Sequence, residues 1–226
     1  MKKSLFIITF LLIAKIIFGQ DCTMYFPAKE GAELEYTNYD AKNKVTGTLV
    51  QKIVKKESTA NSVILTIEST SYDKKNKAEA THSFDVKCEN GVFFMNMKAF
   101  LPSNQGKEQQ DNMEITATDL DIPSNPTIGQ TLSDGNVKMS MKAGMMEMNM
   151  TVTIVNRKVE AFENVTTPAG TYECIKITYN IITDMMFKSE NKAIQWIAKN
   201  VGMVKSETYD KSDKLIATSL LTHLNQ

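Results

Sequence analysis

Apolar and polar side chains alternate along most of the chain, and this two-residue period constrains the fold more than any other feature of the sequence. In the clearest run, residues 146–154, five apolar side chains occupy successive even positions, and glutamate, asparagine or threonine stands between them. A β-strand places all five on one face, whereas a helix would scatter them around its circumference. Similar runs recur at 62–68 and 93–97, so the sequence predicts half-buried strands.

The predicted fold is all-β, with one strongly curved antiparallel sheet or open barrel, meander topology and at most one short helix. Thr-Pro-Ala-Gly at 167–170 predicts a type I turn between two strands, because proline and glycine stand at the second and fourth positions. Three further strands are expected between 193 and 224 as a C-terminal meander. The short helix is expected at 98–101, beside a polar loop at 102–112.

A change of phase follows the run at 146–154. Val159 and Ala161 carry the apolar pattern on odd positions, whereas the preceding strand carries it on even positions. Because a one-residue shift moves side chains to the other face of a strand, we predict a bulge or bend near 156–158. This bulge would keep Val159 and Ala161 turned toward the core.

The N-terminus has the features of a secretory signal peptide. Two lysines precede an apolar stretch that is interrupted only by Lys15 and reaches Gly19. A transmembrane anchor needs about 20 apolar residues, and Lys15 disfavours spanning, so cleavage after Gly19 or Gln20 is expected. The predicted organisation is a signal peptide at 1–19 and a single β domain at 20–226. The mature protein is expected in the periplasm or outside the cell.

The charge pattern argues against nucleic-acid binding. The chain has 26 basic and 26 acidic residues, and loss of three lysines with the signal peptide leaves 23 basic residues. Arg157 is the only arginine and the lysines are dispersed, so the sequence offers neither bidentate forks nor a basic stripe. The acidic pairs Asp119 with Asp121 and Glu160 with Glu163 are interpreted as solvated charges. We expect a monomer without a transmembrane segment after signal cleavage.

Three cysteines remain in a chain whose export permits oxidation. Cys22 stands in the polar N-terminal segment and Cys88 beside a turn, whereas Cys174 lies in an apolar strand where a small thiol packs well. We therefore predict a disulfide between Cys22 and Cys88, with Cys88 and Cys174 as the alternative pair. Lipidation of Cys22 is disfavoured, because the polar residues Gln20 and Asp21 precede it.

No residue set typical of an enzyme is found. His82, Ser83 and Asp85 include the residue types of a hydrolase triad, but neighbouring strand residues point to opposite faces, so His82 and Ser83 diverge. Phosphate-binding, dinucleotide-binding and nucleophile-elbow motifs are absent. Cys-x-x-Cys is absent and His223 stands apart from His82, so no metal site and no cofactor are predicted. We expect a protein that is not an enzyme.

Methionine is concentrated in one part of the chain, since six of the fourteen lie between residues 139 and 150. Their alternation predicts a hairpin with methionine on one face, which most simply fills an irregular core. Such a face can also repack around an acyl chain or a peptide. A Cu(I) site is a weaker alternative, because no histidine or cysteine accompanies the thioethers. The predicted ligand-binding residues are Met139, Met141, Met146, Met148 and Met150, together with Phe93, Met95 and Met97.

Several segments resemble a known family. They are the hairpin at 165–174, Trp196 with the following segment 201–207, and the opening Cys-x-x-x-Tyr-x-Pro with Gly31 and Glu-Tyr at 35–36. Together they are similar to the TapB-like family of uncharacterised exported β proteins, which is related to domain of unknown function 3108. The resemblance covers nearly all of the mature chain. It implies a strongly curved antiparallel sheet, similar in outline to lipoprotein carriers, and no established activity.

Two function classes follow from these observations. A carrier would hold an apolar, lipid-like or peptide ligand on a concave face, and it predicts an accessible cavity lined by methionine and phenylalanine. A structural or assembly component of the cell envelope would fill its sheet with its own side chains and contact other envelope proteins. It predicts no cavity. A cleft that placed His82 or His223 beside a carboxylate would instead favour an enzyme.

Overall fold

The computed structural model describes residues 22–100, 113–143 and 146–226. Within these ranges the backbone forms thirteen strands and one 3-10 helix. The predicted signal peptide at 1–19 and the predicted polar loop at 102–112 lie outside them. The elements are β1 (Glu33–Asp40), β2 (Val45–Ser58), β3 (Ser62–Asp73), β4 (Ala78–Glu89), β5 (Val92–Met95), the 3-10 helix (Met97–Phe100), β6 (Met113–Thr118), β7 (Leu120–Pro123), β8 (Gly135–Ala143), β9 (Met146–Thr167), β10 (Gly170–Asp184), β11 (Lys188–Ala198), β12 (Gly202–Tyr209) and β13 (Leu215–Asn225).

All of these strands belong to one antiparallel sheet with the order β6-β8-β9-β10-β11-β12-β13-β1-β2-β3-β4-β5-β7. Strands that follow one another in sequence are neighbours almost throughout, which confirms the predicted all-β meander. β6 pairs with β8 and β7 pairs with β5, yet only Asp119 separates β6 from β7 in the chain. One extended segment therefore connects the two edges of the sheet and nearly closes it into a barrel shape.

The barrel has two different ends. The connections β1–β2, β3–β4, β8–β9, β10–β11 and β12–β13 all lie at one end, which we call the tip end. The other end, the base, carries the remaining hairpin turns and the N-terminal segment 22–28. Tyr25 and Phe26 of this segment are buried, and the Asn200 amide donates to the Met24 carbonyl at 2.7 Å. The N-terminal segment therefore covers the base of the barrel.

The apolar core occupies the base half of the inner face. Ile53, Ile67 and Phe84 lie opposite one another on β2, β3 and β4, and all three are buried. Directly opposed residues of antiparallel strands share a face, so this row is continuous across the sheet. Toward the tip end the same face carries polar residues, including Ser69 and His82. The inner face therefore changes from apolar to polar along the barrel.

The predicted bulge near 156–158 is confirmed. Asn156 has a φ of 58°, and the pairing of β9 with β10 shifts register at this point. A second shift follows, because Val159 pairs with Ile177 while Ala161 pairs with Lys176. Val159 faces the core as expected, but the extra residue turns Ala161 to the outer face. The prediction for Ala161 is therefore wrong, and the reason is a second bulge that the alternation did not indicate.

The only arginine holds the closing segment of the barrel. Arg157 on β9 is buried, and its guanidinium donates to the Asp121 carboxylate at 3.2 Å and to the Ser133 carbonyl at 2.7 Å. A further hydrogen bond reaches the Asp121 carbonyl at 2.9 Å. Burial lowers the pKa of Arg157, and the Asp121 carboxylate opposes this shift. The sequence analysis interpreted Asp121 as a solvated charge. That interpretation is wrong, because Asp121 is the ion-pair partner of the buried Arg157.

The single tryptophan is buried on the outer face. Trp196 lies opposite Lys176 and Lys205, whose ammonium groups stand 5.3 Å and 4.7 Å from the ring centroid. Its indole nitrogen donates to the Glu163 carboxylate at 2.5 Å. The aliphatic parts of the lysines cover the ring while their charges remain near water. Glu163 therefore positions an aromatic ring, and it is not simply a solvated charge.

Candidate ligand-binding site

A cavity of about 140 Å³ lies inside the barrel, between the apolar base and the polar tip half. It is bordered by the N-terminal segment and by β1, β2, β4, β5, the 3-10 helix, β11 and β12. Most of its walls are apolar or aromatic, and two glutamines contribute amide groups. The lining side chains are those of Tyr25, Phe26, Tyr36, Gln51, Phe84, Phe93, Met95, Ala99, Gln195, Ile197 and Met203.

Three buried polar side-chain atoms have no hydrogen-bond partner within the described parts of the chain. They are the Tyr36 hydroxyl, the Ser69 hydroxyl and Nδ1 of His82. Tyr36 and Ser69 are each only 1% exposed. Native proteins pair nearly all buried polar atoms with protein groups or water, so each exception requires an explanation. Here the three residues lie on β1, β3 and β4 of the same sheet.

The strand register brings these groups to the inner face. Gln51 lies opposite Ser69, and Ser69 lies opposite His82, so the three residues form a row across β2, β3 and β4. His82 also stacks on Phe84, a cavity-lining residue, with ring centroids 5.9 Å apart. Tyr36 lines the cavity directly from β1. Ser69 and His82 therefore continue the polar row of the inner face from the cavity-lining Gln51 across β3 and β4.

The inner face around this row is uncharged. The inner positions next to the row are uncharged and carry Asn38 on β1, Leu49 on β2 and Ser71 on β3, while Glu68 and Asp85 occupy outer positions. The charged residues that share the inner parity, Asp40, Lys56 and Asp73, stand at or near the ends of their strands. Burial lowers the pKa of His82, so the neutral imidazole is favoured at pH 7. Burial also raises the pKa of the Tyr36 phenol, which therefore keeps its proton. The row is a set of neutral donors and acceptors.

The predicted methionine face is placed elsewhere. Met139 and Met150 lie opposite each other on β8 and β9; Met139 is buried and Met150 packs against the core. Met141 pairs with Met148, which is 52% exposed, and Met146 pairs with Ala143 near the tip end. Met139, Met148 and Met150 are not among the residues that line the cavity, and Met139 and Met150 instead border a separate depression of about 250 Å³ on β6, β8 and β9. The side chains of Met141 and Met146 lie outside the described residues.

Two of the other predicted ligand-binding residues do belong to the cavity. Phe93 is buried and Met95 is half-buried, and both contribute to its wall from β5. Met97 is fully buried in the 3-10 helix and packs in the core. The sequence pattern thus found one wall of the cavity, but it missed Tyr36, Gln51 and Ser69. Polar residues at inner positions of strands were the available signal, but alternation by itself does not show which polar side chains face inward.

Cys22 and Cys88, the pair that the sequence analysis favoured, form a disulfide with Cα atoms 5.8 Å apart. It ties the N-terminal segment to β4 at the base, beside Phe93, which lies opposite Cys88. Cys174 is a free, buried thiol, and burial raises its pKa to about 11. Its reactivity is correspondingly low.

Two other depressions in the described parts of the protein lack the unpartnered polar groups of the inner face. Larger depressions of about 400 Å³ and 350 Å³ lie along β9 to β12, but neither contains any of the three unpartnered atoms. Among the described residues, no three His, Cys, Asp or Glu side chains are close enough together to hold a metal ion. In the same ranges, no helix has the length and apolar character needed to cross a membrane. Of these three depressions, the inner cavity alone is lined by a residue with an unpartnered polar atom, Tyr36.

The amino-acid sequence matches a known protein family along most of the sheet. A family model described as DUF3108-like matches residues 29–221, from just before β1 almost to the end of β13. The chain belongs to the DUF3108-like family. This match confirms the predicted relation to domain of unknown function 3108, but it does not confirm the TapB-like name. No curated protein matches the chain significantly.

Two solved structures share the fold. A candidate exported protein with a YmcC-like fold from Bacteroides fragilis is 21% identical, covers 91% of this chain and 100% of its own, and has a TM-score of 0.77. A candidate lipoprotein from Parabacteroides distasonis is 25% identical, with the same two coverages and a TM-score of 0.78. The nearly closed sheet is therefore common to all three chains.

Proposed function

We propose that the protein is an exported, non-catalytic binding protein that holds a small neutral amphipathic ligand in its inner cavity. The observation that carries the proposal is the position of three unpartnered polar groups. Tyr36 lines a cavity with mostly apolar walls, and Ser69 and His82 lie in the adjoining row of the inner face, next to the cavity-lining Gln51. A buried polar atom without a partner costs about 1–3 kcal/mol. A ligand that forms hydrogen bonds with these atoms would remove that cost on binding.

The size of the cavity limits the apolar part of the ligand. Its volume of about 140 Å³ is close to that of an engineered cavity of about 150 Å³ that accepts benzene. A single ring or the end of a longer chain therefore matches the space between Phe84, Phe93 and Met95. Phe93 and Met95 are the predicted ligand-binding residues that this proposal retains. The ligand role of Met97 and of the methionines on β8 and β9 stays a prediction outside it.

The charge of the site favours a neutral polar group on the ligand. A carboxylate or an ammonium group that enters this uncharged part of the interior loses its hydration without gaining a counter-ion. A hydroxyl, ester or amide instead matches the phenol of Tyr36, the hydroxyl of Ser69 and the neutral imidazole of His82. We therefore assign the ligand to neutral amphiphiles and not to free fatty acids.

Export is supported by three observations. The N-terminus reads as a signal peptide, and the two solved relatives are described as candidate exported and lipoprotein chains. The disulfide at the base also requires an oxidising compartment to persist. A ligand carrier outside the cytoplasm is consistent with all three.

Three ligands with the same ring and different charges test the proposal. Benzyl alcohol, benzoate and benzylamine are titrated into the oxidised protein, and binding is followed by ligand-observed NMR. We expect benzyl alcohol to bind at least about ten-fold more tightly than the two ions, because only the ions must give up their charge hydration. Ser69→Ala should weaken the binding of benzyl alcohol.

Matched variants locate the binding to the cavity. Ala99→Leu adds apolar volume to the cavity wall and should abolish binding, whereas Ala78→Leu at an exposed position of β4 should not change it. Equal binding of all three ligands, or binding that Ala99→Leu leaves intact, would contradict the proposal. Failure of all three ligands to bind would favour the structural role in the envelope, with a self-filled interior.

A further inference from the structure

The tip end of the barrel has an unusual surface composition. The β10–β11 hairpin ends in Met185, Met186 and Phe187, which are 56%, 83% and 85% exposed. Exposed apolar residues that stand singly are ordinary, but three consecutive large ones at a projecting turn are not. We call these three residues the apolar tip. Met148, also exposed, lies on the neighbouring β8–β9 hairpin and extends the apolar side of this end.

The three hairpins that follow the apolar tip around the sheet have a common turn. Each begins with an aspartate, Asp40, Asp73 or Asp210, whose carboxylate accepts hydrogen bonds from the backbone amides two and four residues later. The fourth residue of each turn, Asn43, Asn76 or Asp213, has a φ near 60°. The turns 40–44, 73–77 and 210–214 are therefore three copies of one rigid design, which we call the lysine tips.

The lysine tips carry a surplus of positive charge. They contain seven lysines and four aspartates, a net charge of +3. The backbone hydrogen bonds hold the three leading carboxylates inside their turns and lower their pKa values. Asp213 pairs with Lys192 of β11 at 2.6 Å. The seven lysines are exposed, and none forms an ion pair with another described residue.

We propose that the tip end docks on an anionic lipid surface, with the apolar tip inserted among the headgroups and the lysine tips held against them. The tips are neighbours in the sheet order β10-β11-β12-β13-β1-β2-β3-β4, so they form one continuous rim. Anionic lipids attract exposed lysines, and apolar side chains gain free energy when they enter the interface. A protein partner would instead favour a complementary surface, whereas these residues project as separate turns.

This inference does not depend on the proposed ligand, since none of these residues lines the inner cavity. It adds a location to the proposed function, because a carrier at a membrane surface would meet amphipathic molecules there. The two proposals can fail separately. Soluble benzyl alcohol tests the cavity without a membrane, and vesicles test the rim without a ligand.

Vesicle flotation tests the docking surface. The oxidised protein is mixed with phosphatidylglycerol vesicles or with phosphatidylcholine vesicles at low salt. We expect binding to the anionic vesicles at least about ten-fold tighter than to the neutral ones, and a loss of this difference as salt screens the lysines. Met186→Ser with Phe187→Ser should weaken binding to anionic vesicles by about ten-fold. Lys74→Gln with Lys75→Gln should weaken it to a similar extent.

The base of the same barrel provides matched controls. Ile128→Ser removes an apolar side chain that is 65% exposed in the β7–β8 connection, and Lys29→Gln with Lys56→Gln removes two exposed lysines from the base. These variants should bind vesicles as the unchanged protein does. Phe187→Trp should show a blue shift in emission when anionic vesicles are added, whereas Ile128→Trp should not.

Three results would overturn the proposal. They are an absence of binding to anionic vesicles at low salt, equal binding to both vesicle types, and equal losses for tip and base variants. The first of these would leave a protein partner as the occupant of the apolar tip. All substituted side chains are exposed, so correct folding of each variant can be checked by its unfolding midpoint.

Discussion

The base half and the tip half of the barrel use the same strands for different purposes. In the base half the inner positions are filled by side chains such as Ile53, Ile67 and Phe84, and the N-terminal segment covers them. In the tip half the same face carries Ser69 and His82, and the hairpins beyond them are polar or exposed. Apolar packing and unpartnered polar groups are therefore separated along the strand direction, within one sheet.

The largest expected change in stability comes from a substitution on the inner face of β5, in the base half, and its control lies on the outer face of the same strand. Phe93→Ala should lower the free energy of unfolding by about 3–5 kcal/mol, because the ring is buried and packs edge-on against Tyr25 with centroids 5.6 Å apart. Phe94→Ala is the matched control on the outer face, beneath Lys87, and should cost about 1 kcal/mol. Urea unfolding measures both. Similar losses for the two variants would contradict the assignment of inner and outer faces.

Reduction of the disulfide should also act on the base half. The bond joins residues 66 apart in sequence, for which the chain-entropy relation gives about 4 kcal/mol. We expect a lower unfolding temperature in reductant and faster amide exchange in segment 22–28 than in β12 or β13. A Cys22→Ala, Cys88→Ala variant should not respond to reductant. An unchanged midpoint for the reduced protein would mean that the N-terminal segment stays in place without the bond.

Ser69→Ala tests the tip half, and this substitution should raise the free energy of unfolding, whereas the changes in the base half lower it. The variant removes a buried hydroxyl that has no protein partner, so the unliganded protein should gain about 1 kcal/mol. Ser71→Ala, on the same strand and face, removes a hydroxyl that donates to the Ala80 carbonyl at 3.4 Å, and should lose about 0.5 kcal/mol. A clear loss of stability for Ser69→Ala would indicate that the hydroxyl is already satisfied in solution.

The smallest expected effect is the pH dependence of the tip half. Burial lowers the pKa of His82 in the folded protein, while the unfolded chain titrates near about 6.5. Below that pH the unfolded state binds the proton more readily, so the contribution of His82 to stability is present above about 6.5 and is lost as the pH falls. Between pH 7.5 and 5.5 the free energy of unfolding of His82→Gln should therefore fall less than that of the unchanged protein. His223→Gln is the matched control and should follow the unchanged protein. Identical profiles for all three proteins would show that burial does not affect His82.

Several parts of the fold could be predicted from the sequence because local physics decides them. The period of two at 146–154 and the Thr-Pro-Ala-Gly turn determine strands and a hairpin without reference to distant residues. The change of phase before Val159 indicated the bulge at Asn156 for the same reason. The disulfide between Cys22 and Cys88 was favoured by the apolar surroundings of Cys174, which are also local.

The candidate site could be predicted only in part. Phe93 and Met95 were selected because alternation places them on one face, and both line the cavity. Alternation within one strand carries no information about which strand pairs with it. It therefore could not show that Gln51, Ser69 and His82 form one row. It also assigned Asp121 and Glu163 to water, although each is a partner of a buried side chain from another strand.

The sequence by itself determined that the chain forms antiparallel strands, where several of them turn, and which faces are apolar, because side-chain period and turn chemistry act over a few residues. The tertiary structure decided how far the sheet closes and which polar groups meet inside it. β6 and β7 pair with strands at opposite edges, and the inner row joins residues from β2, β3 and β4. These pairings depend on curvature that accumulates over thirteen strands, and no short segment of the sequence contains that information.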